Sequence, residues 1–465
     1  MVRVFSCSVA FLFLTVSVLS SGGDTLDGGS ADLPAGADAS QTAAEKTSPG
    51  AERESDSTED KRTEVAPSEA RDSGESDATA HAASSASPSS TDEDESESSE
   101  NARNSSFQWK LSINPSSNMR ALRNRVRRCL AFYYKRPLNT RDASPWSMMH
   151  AMLSFGVDST IRVSHPQGRT VNAASWLCAN RHAKGMRLMS IRDGQIYPHQ
   201  GPGYQGHPGQ FLAMLAQLRV KSDYPLQVDG SEFTVQDLIE YEQSSCREGT
   251  ELTFKLLGLI HYLPSDSQWT DSRGESWDFP RLIHEERRQP INGATCGGSH
   301  RLMALSFAVH ARQKRGEPLE GEWAQAEAFT KRYQRMALNW QNRDGSFSTS
   351  YFRGPGNDES LDRQLVTTGH ILEWLVYSLP GDDVLDRRVL RAVNFLTNLM
   401  STNRYYEWEA GPRSHAIRAL TLFDERVFGG TPGTRSETLV NLRTPPQEDP
   451  SERRRPNVRF WFRST

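Results

Sequence analysis

The feature that most constrains the fold is a long series of amphipathic segments. From residue 118 to about residue 430, segment after segment places apolar side chains at the three- and four-residue spacing of one helix face. Ser144-Pro145 supplies a helix N-cap and a first-turn proline, and Thr234 with Asp237 has the pattern of a capping box. Patterns typical of strands are almost absent. The sequence therefore predicts an all-α domain.

About twelve helices are predicted from this periodicity. They span residues 119–134, 146–155, 173–179, 210–218, 238–245, 250–262, 279–288, 299–314, 323–341, 361–379, 384–400 and 415–427. Short Gly/Pro turns join neighbours, as two concentric rings of six helices, an (α/α)6-type toroid, would need. A helical superhelix is the alternative, but the segments have no fixed repeat length. We therefore expect a toroid domain over residues 108–430.

The N-terminus has the pattern of a secretory signal peptide over residues 1–22. Arg3 supplies the basic start, residues 9–19 form an apolar run, and small residues follow. The run is short for a membrane span. The sequence predicts an exported chain, periplasmic or secreted; an uncleaved signal that anchors the chain is the alternative.

Residues 23–107 form an acidic stem rich in Ser, Asp and Glu. With so few large apolar side chains, such a segment is predicted to be disordered. The whole chain has a net charge of −4. Because the stem alone is more negative than the whole chain, the remaining residues carry a net positive charge. The basic tail, residues 431–465, is also predicted to be disordered.

The basic domain raises nucleic acid as a partner, but predicted export and the lack of a basic helix with interleaved aromatics argue against it. Membrane contact is expected only through the signal segment or the C-terminal tail. The expected partner is a small molecule, and the oligomeric state is left open.

Four cysteines follow the signal segment: Cys129, Cys178, Cys246 and Cys296. They contain no CxxC pair, which argues against zinc-finger and redox modules, and three disulfide pairings stay open. A thiol at Cys296, near a helix N-terminus, would have a lowered pKa, and His300 could deprotonate it. That reactive thiol is the alternative, and a buried or disulfide-bonded Cys296 is the favoured interpretation.

Residues 326–348 read AEAFTKRYQRMALNWQNRDGSFS, a helix that ends in Gln341 before Asp344-Gly345 and Phe347. This segment resembles the QW repeat of squalene-hopene cyclases and their relatives, which implies a toroid and a structural role. Asp-Gly favours a tight turn, and the glutamine amide can hydrogen-bond to groups at a helix end.

The chemistry of that family does not carry over, because its DxDD acid motif is missing. Asp382-Asp383-Val384-Leu385-Asp386 spells the DDxxD run of class I terpene synthases, but acidic residues at a helix start are interpreted as caps. Protein prenyltransferases, also toroids, bind zinc through Asp, Cys and His, yet Cys296, His370 and Asp362 do not match their spacing. Neither a metal nor a cofactor is predicted.

Gly369-His370-Ile371-Leu372-Glu373-Trp374 is similar to the GHxxEW segment of the N-acylglucosamine 2-epimerase family, whose members are also toroids. The resemblance implies that His370 and Glu373 act on a sugar, with His415 as a later histidine. The spacing puts the histidine, the carboxylate and the tryptophan on one helix face. Acid/base chemistry on a carbohydrate, of isomerase or lyase type, is the first functional hypothesis.

The candidate site residues follow from these motifs and from the glycine-rich loop over residues 193–209. The catalytic candidates are His370, Glu373, His300 and His415, and the ligand-binding candidates are Trp374, His150, His199, His207 and Tyr204. An ordinary surface loop is the alternative for the loop residues. A non-catalytic binding or scaffold domain is the second functional hypothesis, and a terpenoid cyclase-like enzyme the third, so whether the chain is an enzyme stays open.

Overall fold

The computed structural model describes residue 111 and residues 113–430. The predicted signal peptide, acidic stem and basic tail lie outside the described residues. The described part is mostly helical, in agreement with the sequence, and none of its helices is long and apolar enough to cross a membrane.

Twelve α-helices occur within residues 113–430. They are α1 (Ser117–Tyr134), α2 (Pro145–Phe155), α3 (Ala173–Cys178), α4 (Gln210–Gln217), α5 (Val235–Ser244), α6 (Thr253–Tyr262), α7 (Phe279–Arg288), α8 (Ser299–Lys314), α9 (Gly321–Asn339), α10 (Leu361–Ser378), α11 (Arg387–Thr402) and α12 (Ala410–Phe428).

The predicted helix starts at α2 and α5 are confirmed by their caps. Ser144 accepts a hydrogen bond from the Ser147 amide at 3.3 Å, and Pro145 is the first residue of α2. Thr234 and Asp237 form the capping box at α5. The largest boundary difference is at α12, which begins at residue 410 instead of 415.

The expectation that strands are almost absent was wrong. Eight short strands form four antiparallel hairpins: β1 (Thr160–Arg162) with β2 (Thr170–Asn172), β3 (Met189–Arg192) with β4 (Gln195–Pro198), β5 (Pro225–Val228) with β6 (Ser231–Thr234), and β7 (Gln268–Thr270) with β8 (Ser276–Asp278). Two tips are Asp-Gly pairs, Asp193-Gly194 and Asp229-Gly230, with positive φ at both residues, which is a standard hairpin turn. Strands β2, β6 and β8 lead directly into α3, α5 and α7.

The even-numbered helices pack against one another in chain order. Helix α2 packs against α4, α4 against α6, α6 against α8, α8 against α10, α10 against α12, and α12 against α2. The odd-numbered helices lie against them: α3 contacts α2, α5 contacts α6, α9 contacts α8, and α11 contacts α10. Helix α1 packs against both α11 and α12. The even-numbered helices therefore share a common interior.

The turn predicted after α9 is present. The Gln341 amide donates to the carbonyls of Gly345, at 3.0 Å, and Arg388, at 2.7 Å, so it ties the end of α9 to the start of α11. Gly345 has φ near +100°, and a Cβ there would lie 2.7 Å from the Arg391 carbonyl oxygen, so only glycine fits. Phe347 is fully buried. The segment acts as a structural junction between two helices.

The capping role predicted for the acidic run before α11 is confirmed for Asp386 only. Asp382 and Asp383 lie in a 3₁₀ turn, and the Asp386 carboxylate accepts a hydrogen bond from the Arg388 amide at 2.7 Å. Replacing Asp386 with alanine is expected to lower the free energy of unfolding by about 1 kcal/mol in urea titrations, because the first turn of α11 loses its cap. Asp382→Ala, at an exposed position, should change it by less than about 0.5 kcal/mol. Equal effects of the two changes would contradict the capping role.

Candidate functional site

Five histidines from different parts of the chain meet among the even-numbered helices. This histidine cluster consists of His150, His207, His300, His370 and His415. The ring centres of His370 and His415 are 4.0 Å apart. The ring centre of His300 lies 5.3 Å from that of His370 and 5.2 Å from that of His415. His150 is 5.5 Å from His415, and His207 is 5.7 Å from His300.

The cluster combines residues far apart in the sequence. His150, His370 and His415 lie within α2, α10 and α12, His300 is the second residue of α8, and His207 precedes α4. Packing of the even-numbered helices therefore brings together every histidine predicted for catalysis, together with His150 and His207. The glycine-rich loop contributes to the cluster through His207.

Two of these imidazoles are oriented by their own helices. Nδ1 of His370 is 2.7 Å from the Val366 carbonyl oxygen, and Nδ1 of His150 is 2.7 Å from that of Trp146. Because a carbonyl oxygen only accepts, Nδ1 carries the proton in both rings. The Nε2 atom of each neutral ring therefore holds a free lone pair.

Two further imidazoles are oriented by carboxylates. Nδ1 of His415 lies 2.6 Å from Oε2 of Glu373, and both side chains are buried. Nδ1 of His207 lies 2.8 Å from Oε2 of Glu251, which is more exposed. The Glu373–His415 pair thus lies within the protein, whereas the second pair lies nearer to solvent.

Burial sets the protonation of the cluster. It lowers the pKa values of His150, His370 and His415 to about 3, and that of His300 well below its usual value; neighbouring histidines lower them further. Burial raises the pKa of Glu373 to about 7. The imidazoles of these four histidines are therefore neutral at pH 7, which is the form that binds a metal ion.

A small cavity adjoins the cluster, and a larger cavity, which none of the five histidines lines, lies nearby. The smaller, with a volume of about 20 Å³, is lined by His300, His370, Glu373 and His415, among others, and is large enough for one water molecule. The larger has a volume of about 810 Å³ and is lined by residues near the carboxyl ends of the even-numbered helices. Gln217 lines both cavities.

The remaining predicted ligand-binding residues lie elsewhere. Trp374 is fully buried, its indole donates to Oγ of Ser306 at 3.0 Å, and it lines neither of the two cavities. His199 and Tyr204 form their own aromatic contact, with ring centres 5.1 Å apart. Within residues 113–430, neither has a ring contact with the histidine cluster.

The four cysteines of the described part are all free thiols. Cys296 is half-buried, and burial raises its pKa to about 12, so the expected lowering of that pKa was wrong. The desolvation of the thiolate outweighs any helix N-terminus effect. The Cys296 sulfur nevertheless lies within 4.8 Å of ring nitrogens of both His300 and His370, a set of atoms that could hold a metal ion.

Sequence reasoning missed two charged residues beside the cluster. Glu251 orients His207 from the segment before α6, and no motif marks it. Arg418 lines the larger cavity, and its Nε has no hydrogen-bond partner among the described residues. It follows His415 by three residues on α12, so helical spacing could have indicated it.

Comparisons with family models, with curated proteins and with solved structures gave no match. The resemblances at Gln341–Phe347 and Gly369–Trp374 therefore stay predictions. The function has to be argued from the geometry of the site.

Proposed function

We propose that the described domain is an α/α toroid, and that the chain is an exported enzyme with its catalytic centre in the histidine cluster. The neighbour order of the even-numbered helices, which returns from α12 to α2, supports the toroid. The convergence of His300, His370, Glu373 and His415 on one small cavity supports the catalytic centre. The reaction class is acid/base chemistry, of isomerase or lyase type.

The observation that carries the proposal is the buried hydrogen bond between Glu373 and His415. Its partners approach to 2.6 Å, and the ring of His370 lies against that of His415, with ring centres 4.0 Å apart and the planes tilted by 32°. Because the pKa of Glu373 is about 7 and that of His415 about 3, Glu373 takes up and releases the proton of the substrate near neutral pH, and the His415 imidazole holds the carboxyl group in place. A carboxylate and an imidazole packed together without solvent are more typical of a reaction centre than of a structural core.

The larger cavity supports a carbohydrate as the substrate. Its volume of about 810 Å³ falls within the usual range for small-molecule sites. Tyr377 in its wall stacks on Phe307 with ring centres 4.2 Å apart, and aromatic rings of this kind pack against sugar rings. Arg219, Lys314 and Arg418 add hydrogen-bond donors. Because basic side chains outnumber acidic ones in the wall, we propose a sugar that carries a negative group.

A non-catalytic binding domain is the second candidate. The small cavity next to the histidines favours it, because a volume of about 20 Å³ is too small for a sugar ring. A sugar would then bind in the larger cavity without reaching Glu373. The two candidates differ in whether a bound sugar is transformed.

Glu373→Gln tests the enzyme. It replaces the carboxylate by an amide of the same shape, and the turnover number on a panel of neutral and acidic sugars is expected to fall at least about 100-fold, since the group that takes up and releases the proton is lost. Glu322→Gln makes the same change at a carboxylate that pairs with His284, a partly exposed pair between α7 and α9, and should alter turnover by less than about threefold, because that pair lies outside the histidine cluster.

Two outcomes would contradict the enzyme. Turnover that survives Glu373→Gln in a folded protein would remove the carboxylate from the chemistry. Sugar binding without any turnover by the unchanged chain would favour the binding domain. Far-ultraviolet circular dichroism of both variants shows whether the fold is retained.

A further inference from the structure

We propose that Cys296, His300 and His370 form a binding site for a zinc-class divalent metal ion within the histidine cluster. The site shares the small cavity with Glu373 and His415, but the three donor atoms take no part in the proton transfer that we propose for that pair. It rests on the placement of the three donor atoms, on the unpaired imidazole nitrogens and on the way the cysteine is held.

The three donor atoms are close to the spacing of a metal site. The Cys296 sulfur and ring nitrogens of His300 and His370 all lie within 4.8 Å of one another. Around one tetrahedral zinc ion, sulfur and nitrogen ligands are separated by roughly 3.3–3.6 Å, given bond lengths of about 2.3 and 2.0 Å. Side-chain rotations that move the donor atoms by about 1 Å therefore bring all three to coordination distance.

The imidazole nitrogens at this site lack partners. Nε2 of His370 and both ring nitrogens of His300 are buried and have no hydrogen-bond partner among the described residues. Buried polar atoms are almost always paired, so several unpaired lone pairs in one place point to a missing ligand. Nδ1 of His370 donates a hydrogen bond to the Val366 carbonyl oxygen. This hydrogen bond orients the ring, as such bonds do for histidines that bind a metal ion.

The backbone holds Cys296 in place. Cys296 has φ 51° and ψ 36°, an uncommon conformation for a residue other than glycine, and Gly297 and Gly298 continue in the same region. A Cβ on Gly297 would lie 2.1 Å from the Tyr351 ring, so that ring packs directly on the backbone beside the cysteine. The turn thus fixes the thiol next to His300 at the start of α8.

The donor set indicates the class of metal. One thiolate and two neutral imidazoles are the ligands that zinc and cobalt(II) prefer, whereas magnesium and calcium prefer oxygen. Three protein ligands leave one coordination position, as in catalytic zinc sites. The small cavity, with room for one water molecule, is lined by His300 and His370 and also by Glu373 and His415. The open position therefore faces the pair that we propose for proton transfer.

Metal content and cobalt spectroscopy test the site on the full-length chain. The unchanged protein, dialysed against zinc chloride, is expected to retain about one equivalent of zinc by mass spectrometry. Cobalt(II) in its place should give a thiolate-to-cobalt absorption band. Cys296→Ser should abolish the band and weaken zinc binding at least about 100-fold, since a direct ligand is lost. Cys129→Ser, which removes a buried thiol between other helices, should change neither.

A second measurement needs no substitution. X-ray absorption at the zinc edge of the unchanged, zinc-loaded chain is expected to show one sulfur neighbour at about 2.3 Å and nitrogen neighbours at about 2.0 Å. Nitrogen and oxygen neighbours alone would contradict the thiolate ligand. This measurement keeps the proposal testable even if Cys296→Ser fails to fold.

Four results would overturn the site. They are no retained zinc in the unchanged chain, zinc binding that is equal in Cys296→Ser, bound cobalt(II) without a thiolate-to-cobalt band, or zinc neighbours that include no sulfur. The failure of the acid/base proposal is distinguishable from these, because Glu373→Gln should retain zinc while turnover is lost.

Discussion

Replacing Glu286 with alanine should lower the free energy of unfolding by about 3–5 kcal/mol, the usual loss when one partner of a buried ion pair is removed. Glu286 is fully buried in α7 and pairs with Arg301 of α8, with Nε and Oε2 2.9 Å apart. Its carboxylate also accepts from the Leu252 amide at 2.7 Å and from Oγ1 of Thr253 at 2.5 Å. The change therefore leaves the buried Arg301 guanidinium without its carboxylate partner and removes the acceptor of the Leu252 amide at the start of α6.

Urea unfolding followed by circular dichroism measures this loss. Glu275→Ala is the matched control, because Glu275 pairs with Arg281 at 3.3 Å but its side chain is 61% exposed. That change should lower the free energy of unfolding by less than about 1 kcal/mol. A loss at Glu286 no larger than the loss at Glu275 would show that the buried pair does not hold α6, α7 and α8 together.

The sequence predicted the helices well because each is specified locally. The caps at Ser144 and Thr234, the prolines near helix ends and the regular apolar spacing all act within a few residues. The hairpins were missed because their strands are only three or four residues long. Asp193-Gly194 and Asp229-Gly230 were the available signals; the first was interpreted as part of the glycine-rich loop, and the second was not considered.

The part of the site that was predicted also follows from local spacing along the sequence. His370 and Glu373 share one helix, so their joint presence in the cluster follows from spacing alone. The partnership of Glu373 with His415 spans 42 residues, and that of Cys296 with His370 spans 74, so neither follows from a local pattern. Only the packing of α8, α10 and α12 creates these contacts. For this reason the sequence predicted no metal, although all three donor residues had been considered.

Replacing Gly297 with alanine is expected to disturb the cysteine turn and the cluster beside it. The new methyl group would lie 2.1 Å from Cγ of Tyr351, so the ring or the backbone must move. Overpacking of this kind costs about 1–3 kcal/mol, and the left-handed φ of 63° adds roughly 1 kcal/mol. Urea unfolding should therefore show a loss of about 2–4 kcal/mol.

Gly293→Ala is the control that separates the effect of the Tyr351 contact from the effect of the backbone strain. Gly293 also has a positive φ, 86°, but a Cβ there meets no atom within 4 Å, so only the conformational cost of roughly 1 kcal/mol remains. Because Cys296 adjoins Gly297, displacement of the turn should also weaken zinc binding about tenfold in Gly297→Ala, with little change in Gly293→Ala. Equal stability losses in the two variants would mean that the Tyr351 ring moves away from the new methyl group at no cost in free energy. Zinc affinity retained in Gly297→Ala would show that the thiol is not held by this turn.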